Sequence, residues 1–247
     1  MAKYILFDTE TTGASQEDRI IQIGGMIVSS KTQIEVFDEL CSTVLPIKIE
    51  AMEVHNITPD LIENKPPFIE TKFYNKLQEL NNSSNYLIAH NINFDLQMLI
   101  KEGFENQYTL VDTLRCAKHL YPELPYHRLQ YIRYALELYR NEQEESKNLN
   151  ITIKAHDAIG DVLVMKLFLR DLVKKCAIVY PDYNPMEKLA ELTKTPVLIK
   201  TFKFGKYKGE EIISVASKDS GYLQWMRSNM SDLDEDMKYT IDKALQH

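Results

Sequence analysis

One short stretch near the N-terminus restricts the possible fold more than any other. Residues 4–7 form an apolar run suited to a strand, and Asp8 and Glu10 follow it before Gly13. Side chains two residues apart on a strand point to the same face, so these carboxylates are expected to lie side by side at a strand end. Two such groups repel each other unless a cation lies between them. A lone Asp-x-Glu pattern is most often a strand fraying into a polar loop, so its meaning depends on the rest of the chain.

The remaining sequence predicts a mixed sheet. Residues 19–29 and 32–45 complete an antiparallel meander with the first strand, and the Gly24-Gly25 pair predicts a bulge or a close packing contact. Helices then alternate with strands, and a polar run at 141–148 predicts an exposed loop. Two further strands are predicted at 85–89 and 108–111, with helices at 51–56, 58–63, 68–80, 94–102 (capped by Asn93), 128–139 and 158–179. The predicted fold class is therefore α/β, a mixed five-stranded sheet flanked by helices.

A proline-containing segment at 180–185 predicts a domain boundary. Residues 1–180 form the predicted main domain, and 181–197 form a linker with a short helix at 186–193. Residues 198–247 form a small, mainly helical unit that opens with a β-turn at 202–209.

Composition restricts the class of protein. A hydrophobic fraction of 44% and a charged fraction of 26% in 247 residues are ordinary for a globular protein. No apolar run approaches the roughly 20 residues of a membrane helix. Three widely spaced cysteines predict reduced thiols and a cytoplasmic location. A net charge of −7 argues against nucleic-acid binding over the whole surface but leaves a nuclease open, because metal ions and a local basic patch can handle phosphate charge.

Two later positions could supply partners for Asp8 and Glu10. Asp95 lies in the first turn of a predicted helix, although an acidic residue there also suits the helix dipole. His156 and Asp161 lie near the start of the last long helix. Within one helix they would be about 140° apart, so they can converge only if His156 lies in the preceding loop. Taken alone, His156 could equally be an exposed loop histidine.

Together these residues have a chemical logic. Asp8, Glu10, Asp95 and Asp161 carry a formal charge of −4, which two Mg²⁺ ions would neutralise, with Mn²⁺ as a substitute. Paired metals about 3.5–4 Å apart can clamp a phosphate between attacking and leaving oxygens. A histidine with a pKa near 6.5 is suited to accept a proton from the attacking water. This inventory favours metal-assisted phosphodiester hydrolysis.

Three motifs also resemble those of a known family. Asp-Thr-Glu-Thr-Thr-Gly at 8–13, His-Asn-Ile-Asn-Phe-Asp at 90–95 and His-Asp-Ala-Ile-Gly-Asp at 156–161 are similar to the three motifs of the DnaQ-like 3′→5′ exonucleases. The similarity covers about residues 1–175 and fits the subgroup with four acidic residues and a histidine. It implies a ribonuclease-H-like fold, two divalent metals and release of nucleoside 5′-monophosphates from a 3′ end.

The resemblance assigns expected roles to individual residues. It implies that Asp8, Glu10, Asp95 and Asp161 are metal ligands and that His156 is the general base. Val-His-Asn-Ile-Thr at 54–58 resembles a segment that lines the pocket for the terminal nucleotide, with Asn56 where glycine is usual. The expected substrate contacts are Thr9, Thr11, His55, Asn91 and Phe94. Asp112-Thr113 resembles a frequent family pair that we interpret as structural.

The C-terminal unit has a resemblance of its own. Phe-Gly-Lys-Tyr-Lys-Gly at 204–209, followed by Tyr-Leu-Gln-Trp at 222–225, is similar to the small C-terminal domain of exodeoxyribonuclease X-like proteins. Four lysines interleaved with aromatic residues suit phosphate contact and base stacking, and they form an expected accessory nucleic-acid contact: Lys200, Lys203, Lys206 and Lys208. Alternatively, the aromatic residues form the core of a small domain and the lysines its solvated face.

The sequence thus predicts a 3′→5′ exodeoxyribonuclease of DNA repair or proofreading. The first motif matches the DNA-directed branch, whereas the oligoribonuclease branch usually reads Asp-Leu-Glu-Met-Thr-Gly. An exoribonuclease and a polymerase-associated, mainly architectural subunit are the alternatives, and overall acidity counts against a metal-independent binding module. The expected partner is a single-stranded or frayed DNA 3′ end, with RNA as the alternative and no membrane. A homodimer and polymerase association are left open.

Overall fold

The first part of the chain is built on a five-stranded sheet. The computed structural model describes residues 2–30, 32–152 and 157–246, which form two compact units, Met1–Thr193 and Lys194–His247. The strand order is β3-β2-β1-β4-β5, with β1, β2 and β3 antiparallel and β1, β4 and β5 parallel. The strands are β1 Tyr4–Thr11, β2 Ile20–Val28, β3 Ile34–Leu40, β4 Tyr86–Ala89 and β5 Thr109–Asp112. The predicted mixed sheet is confirmed.

Helices cover both faces of this sheet. They are α1 Ile49–His55, α2 Pro59–Ile62, a 3-10 turn Phe68–Glu70, α3 Lys72–Glu79, α4 Ile92–Lys101, α5 Thr113–Leu120, α6 Leu129–Ala135, α7 Tyr139–Leu149, α8 Ala158–Val179 and α9 Pro185–Lys194. The bounds of α8 agree with those predicted. The helix predicted at 186–193 is α9, which packs Leu189 and Leu192 into the core of the first unit. Within the described residues, no helix combines the length and the apolar character needed to cross a membrane.

The alternation of β1 divides the core into two layers. Leu6 packs with α8 residues such as Leu163 on one face of the sheet. Ile5 and Phe7 pack on the other face with residues of α3 and α4. Because side chains alternate along a strand, Asp8 and Glu10 share the α8 face with Leu6, and Thr9 shares the α4 face with Phe7.

The glycine pair of β2 permits close packing on both faces. A Cβ atom on Gly24 would lie 2.4 Å from the backbone carbon of Ala158, and one on Gly25 would lie 2.2 Å from the ring of Phe73. The register shift of this strand pair falls instead between Glu10 and Thr11. The pair is therefore a packing contact, and Gly24 lets the first turn of α8 lie directly on the sheet beside Asp8, its partner in the ladder.

Gly24→Ala is expected to lower the free energy of unfolding by about 1–3 kcal/mol, because backbone atoms of α8 cannot move aside as a flexible side chain can. Displacing α8 also moves Asp161 away from β1, so activity should fall. Urea unfolding, together with an assay of the nuclease activity that the sequence predicts, measures both effects. Gly221→Ala is the matched control, since its Cβ would have its nearest neighbour at 3.8 Å. A Gly24→Ala variant as stable and active as Gly221→Ala would contradict this role.

The prediction of a loop at 141–148 is wrong, because α7 occupies that segment. Glu142 is buried and forms an ion pair with Arg133, and Glu145 pairs with Lys166 of α8. The helix is polar in sequence since ion pairs with its neighbours replace the usual apolar stripe.

Several predicted element ends also differ. The third strand stops at Leu40 and not at residue 45, and the helix predicted over 68–80 is interrupted at Thr71, which caps α3 by accepting from Tyr74. The helix predicted over 128–139 ends at Ala135, since Glu137 has a φ of 54°. Asn93 lies inside α4, and Asn91 is its N-cap residue with a φ of 76°. Each of these ends is set by a capping residue or a local backbone conformation, which the spacing of hydrophobic residues does not predict.

The second unit is mainly helical, as predicted. Its helices are α10 Ile212–Lys218, α11 Ser220–Asn229 and α12 Glu235–Ala244, which enclose a small core including Phe202, Val215 and Ile241. A bridge between Thr201 and Glu211 closes the predicted turn.

Candidate active site

The C-terminal half of β1 extends beyond its parallel neighbour. Pairing with β4 ends at Leu6 and Ile88, whereas β1 continues to Thr11. Asp8 and Glu10 therefore lie past the end of β4, on the face covered by α8. Asp161 lies in the first turn of α8, and Asp95 lies in the first turn of α4. The fold thus brings two helix starts to the strand end that carries the first two carboxylates.

Thr9 fixes Asp95 against β1. Its hydroxyl donates to Asp95 Oδ1 at 2.7 Å, and its backbone N–H donates to the same oxygen at 3.2 Å. Asp95 is 3% exposed, so these bonds partly replace the hydration that its carboxylate loses. Thr9 therefore holds Asp95 in place, in addition to the substrate contact that the sequence predicts.

The carboxylates affect one another strongly. Burial, followed by the charges of Asp95, Asp161 and Glu10, raises the pKa of Asp8 well above its usual value. Burial and the charges of Asp161, Asp95 and Asp157 raise the pKa of Glu10 to about 8. Burial raises the pKa of Asp95 to about 7, although the bonds from Thr9 oppose the shift. Burial is thus the largest cause at all three groups, and the charges of neighbouring carboxylates add to it.

This environment fits hard divalent cations. None of Asp8, Glu10 and Asp95 forms an ion pair within the described part of the chain, so no lysine or arginine compensates these groups. Carboxylate oxygens without cysteine are the donors that Mg²⁺ prefers. In the ranges described above, no set of three His, Cys, Asp or Glu side chains forms a group that could bind a metal ion as it stands. A bound metal would therefore have to draw these side chains together against their repulsion.

A residue that sequence reasoning missed contacts Asp161. Gln130 of α6 donates through Nε2 to Asp161 Oδ1 at 2.5 Å and accepts from Arg133 Nη1 at 3.2 Å. Arg133 in turn forms a two-pronged ion pair with buried Glu142. Gln130 lies 31 positions before Asp161 and belongs to no motif, so only the tertiary structure reveals the contact.

Gln22 is a second residue that the sequence does not single out. Its side-chain amide donates to Asp157 at 2.8 Å and to Asp38 at 2.9 Å. It faces Glu10 across the β1–β2 ladder. The bond ties the residue just before α8 to the sheet. His156, the predicted general base, lies outside the described residues.

The predicted substrate contacts lie around this strand end. Thr11 is buried, and its hydroxyl donates to the carbonyl of Gly13 at 2.8 Å. Phe94 is half-buried on α4 against the core, and Asn91 is exposed before it. These assignments remain predictions.

His55 is buried at the end of α1. Its Nδ1 accepts from the backbone of Ile57 at 3.0 Å, and its buried Nε2 has no hydrogen-bond partner among the described residues. Burial lowers its pKa, against a smaller opposite effect of the Thr11 backbone. Asn56 has a φ of 60°, a left-handed conformation that glycine favours and asparagine tolerates, so it can replace the usual glycine without changing the backbone.

Asp112 has a structural role, as its motif suggests. Its carboxylate caps α5 by accepting from Leu114, and it accepts the backbone N–H of Asn91 at 3.0 Å. His90 is similarly engaged, with Thr113 at 2.9 Å and the carbonyl of His127 at 2.8 Å. Burial lowers the pKa of His90 to about 4, so it is neutral near pH 7. These groups align the ends of β4 and β5.

The C-terminal lysines differ among themselves. All four lysines are exposed, but Lys206 also pairs with Asp219 at 3.0 Å and lies over Tyr207. Phe202 is buried in the small core, but Trp225 is 53% exposed. The aromatic residues are thus neither all core nor all exposed. A nucleic-acid contact by these lysines stays a prediction.

Known proteins share this fold and sequence pattern. A solved structure of Exonuclease X in complex with 5′ overhanging duplex DNA aligns with a TM-score of 0.55 and 20% identity, over 77% of this chain and 99% of that one. Exodeoxyribonuclease 10 of Escherichia coli K12 is 26% identical over 98% of both chains. The epsilon subunit of DNA polymerase III from Treponema pallidum is 32% identical over 54% of this chain and 64% of its own.

Family profiles cover both units. The exodeoxyribonuclease X-like C-terminal profile matches residues 202–231. The exonuclease profile matches residues 5–168, a range that contains β1, α4 and the start of α8. This match spans well over half of the chain, and the protein therefore belongs to the exonuclease family of the DnaQ-like superfamily.

Proposed function

We propose that this protein is a metal-dependent 3′→5′ exodeoxyribonuclease that releases nucleoside 5′-monophosphates. The observation that carries the proposal is the position of Asp8 and Glu10 at the end of β1, where burial and the charges of Asp95 and Asp161 raise their pKa values and no cation among the described residues forms an ion pair with them. A polymer of phosphates brings further negative charge to this site. Only bound metal ions can make such a site attractive to DNA.

The residues divide the work of hydrolysis. Asp8, Glu10, Asp95 and Asp161 would hold two Mg²⁺ ions, for which Mn²⁺ substitutes, and Thr9 and Gln130 orient two of these carboxylates. When bound, the ions would stabilise the negative charge that develops on the phosphate. His156 would accept the proton of the attacking water. His55 would line the pocket for the terminal nucleotide, and Thr9, Thr11 and Phe94 would bracket that nucleotide.

DNA is the proposed substrate, because Exodeoxyribonuclease 10 and the Exonuclease X–DNA complex match this chain over nearly their whole lengths. The buried free thiols of Cys41, Cys116 and Cys176 support the cytoplasmic location that the sequence predicts. A role in repair or proofreading follows from this chemistry. An exoribonuclease is the alternative for the same site.

A time course with Mg²⁺ tests polarity, sugar and strandedness together. We expect 3′-labelled single-stranded DNA to lose its label at once as a mononucleotide, whereas 5′-labelled DNA shortens gradually. Matched RNA should be degraded more slowly, and EDTA should stop every reaction. Immediate release of a 5′ label would contradict the polarity, and faster degradation of RNA would contradict the substrate.

Similarity to the epsilon subunit favours a second candidate, a polymerase-associated proofreading exonuclease. The second unit distinguishes this protein from that relative, since it matches the exodeoxyribonuclease X-like profile. Stable co-purification with a replicative polymerase would support the second candidate.

A further inference from the structure

Four tyrosines line α6 and the chain on either side of it. This tyrosine strip consists of Tyr126, Tyr131, Tyr134 and Tyr139. Tyr126 is 56% exposed, Tyr134 is 61% exposed and Tyr139 is 42% exposed. Exposing several aromatic rings to water in one place is unfavourable, and such a patch indicates a binding surface.

The rings of the strip are grouped in pairs. Tyr126 and Tyr131 meet edge-on with centroids 5.4 Å apart, and Tyr134 and Tyr139 lie 5.8 Å apart. Tyr131 and Tyr134 are three residues apart on α6, which makes them neighbours on its surface. The four rings therefore follow the helix from before its first residue to beyond its last.

Arginines accompany the rings. Arg128 lies over Tyr126 at 5.2 Å, Arg133 over Tyr134 at 5.3 Å and Arg140 over Tyr139 at 5.9 Å. Acidic residues balance the charges of two of them, since Arg133 pairs with Glu142 and Arg140 with Glu137. Arg128 forms no ion pair within the described ranges, so its charge is available to a ligand.

The strip adjoins the carboxylate site. Gln130, which donates to Asp161, lies on α6 between Tyr126 and Tyr134. Tyr134 is one helical turn from Gln130, on the same side of the helix, and their Cβ atoms are expected about 5–6 Å apart. The pKa of Arg133 is raised mainly by its bond with Glu142, and the charge of Asp161 adds a smaller contribution. A DNA strand whose 3′ end is bound at Asp161 would therefore lie next to the tyrosine strip.

We propose that the tyrosine strip and Arg128 bind the single-stranded DNA that continues from the 3′ end in the active site, by stacking bases on the rings and pairing a phosphate with Arg128. This inference rests on the proposed function and extends it to the strand beyond the terminal nucleotide. Aromatic rings bind bases with little sequence preference, which suits an enzyme that removes every nucleotide in turn. A protein partner could also use tyrosine and arginine, but continuity with Asp161 favours the substrate.

Two substrates separate the strip from the catalytic site. Thymidine 5′-monophosphate p-nitrophenyl ester carries only the terminal nucleotide, whereas a 12-nucleotide oligothymidylate reaches further. We expect Tyr134→Ala to lower kcat/KM for the oligonucleotide about 5- to 100-fold, from the usual contribution of one stacked base. The ester should be hydrolysed at the wild-type rate. Tyr134→Phe should restore the oligonucleotide activity, because stacking needs the ring and not the hydroxyl.

Tyr183→Ala is the matched control, since Tyr183 is 55% exposed and belongs to neither the strip nor the site. The proposed role of the strip is contradicted if Tyr134→Ala and Tyr183→Ala degrade the oligonucleotide equally well. Equal losses on both substrates would show damage to the active site and would also overturn the strip. A wild-type enzyme that hydrolyses neither substrate would instead refute the proposed function.

Arg128→Ala provides an independent measurement. Fluorescence anisotropy of a labelled oligothymidylate with phosphorothioate linkages at its 3′ end gives the dissociation constant without turnover. Loss of one phosphate contact should reduce the slope of log Kd against log salt by about 0.7. An unchanged slope would show that Arg128 does not contact the strand, and this binding result stands whether or not the protein hydrolyses DNA.

Discussion

Asp8→Asn is expected to abolish exonuclease activity, a loss of at least about 10³-fold, while it raises the stability of the metal-free protein. Activity is lost because the substitution removes a charged oxygen where the metal ions and the transferred phosphate need it. Stability rises because burial, together with the charges of Asp95, Asp161 and Glu10, disfavours the ionised form of Asp8, and a neutral amide avoids both costs.

The gain in stability should depend on pH. The pKa values of Glu10 and Asp95 in the folded protein are raised, to about 8 and about 7, from ordinary values of 4.5 and 3.8. The folded state therefore holds more protons than the unfolded state across this range, and the contribution of these groups falls as pH rises towards 8. Asp8→Asn should raise the unfolding midpoint clearly at pH 8 and little at pH 5.

Thermal unfolding in EDTA at the two pH values measures this effect, and a nuclease assay with Mg²⁺ measures the loss of activity. Mg²⁺ or Mn²⁺ should stabilise the wild type at pH 8 and stabilise Asp8→Asn much less. Glu63→Gln is a suitable control, since it removes one negative charge from an exposed position on the same unit. Near-wild-type turnover by Asp8→Asn would refute the assignment of Asp8 as a metal ligand.

His156→Ala is expected to lower kcat about 10²- to 10⁴-fold, the usual contribution of a general base. Its backbone directly precedes Asp157, which Gln22 ties to the sheet beside Glu10. Since neutral imidazole is the reactive form, the wild-type rate should fall at acidic pH, and the variant should lack that dependence.

Measurements on the same variant distinguish a base from a metal ligand. Mn²⁺ affinity, followed by calorimetric titration, should be almost unchanged in His156→Ala, and so should the midpoint of urea unfolding. His127→Ala, which removes an imidazole bonded to the backbone of Tyr121, controls for loss of a histidine elsewhere. A large loss of Mn²⁺ affinity would make His156 a ligand, and full activity would exclude it as the base.

The sequence predicts the fold and the site best where the spacing of apolar residues and the carboxylate motif occur in the same segment. The apolar run before Asp8 and the stripe of α8 predicted both elements, because each buries a continuous apolar face. The spacing of Asp8 and Glu10 predicted a shared face, which the division of the core between Leu6 and Phe7 confirms. These features depend on residues close together in the chain.

The remaining features depend on partners distant in the chain. Helix α7 is held by ion pairs of Glu142 and Glu145 with other helices, so its own sequence resembles a loop. Gln130 and Gln22 are ordinary residues until the fold brings them to Asp161 and Asp157. The sequence singles out Gly24 as part of a glycine pair, but its role in seating α8 depends on a contact with Ala158.

The proposed function requires that the end of β1 binds the catalytic metals. Anomalous diffraction from crystals grown with Mn²⁺ and thymidine 5′-monophosphate tests it most directly. We expect two anomalous peaks beside the phosphate of the nucleotide, contacted by Asp8, Glu10, Asp95 and Asp161. A nucleotide bound at this site without any peak, or peaks confined to other carboxylates, would contradict it.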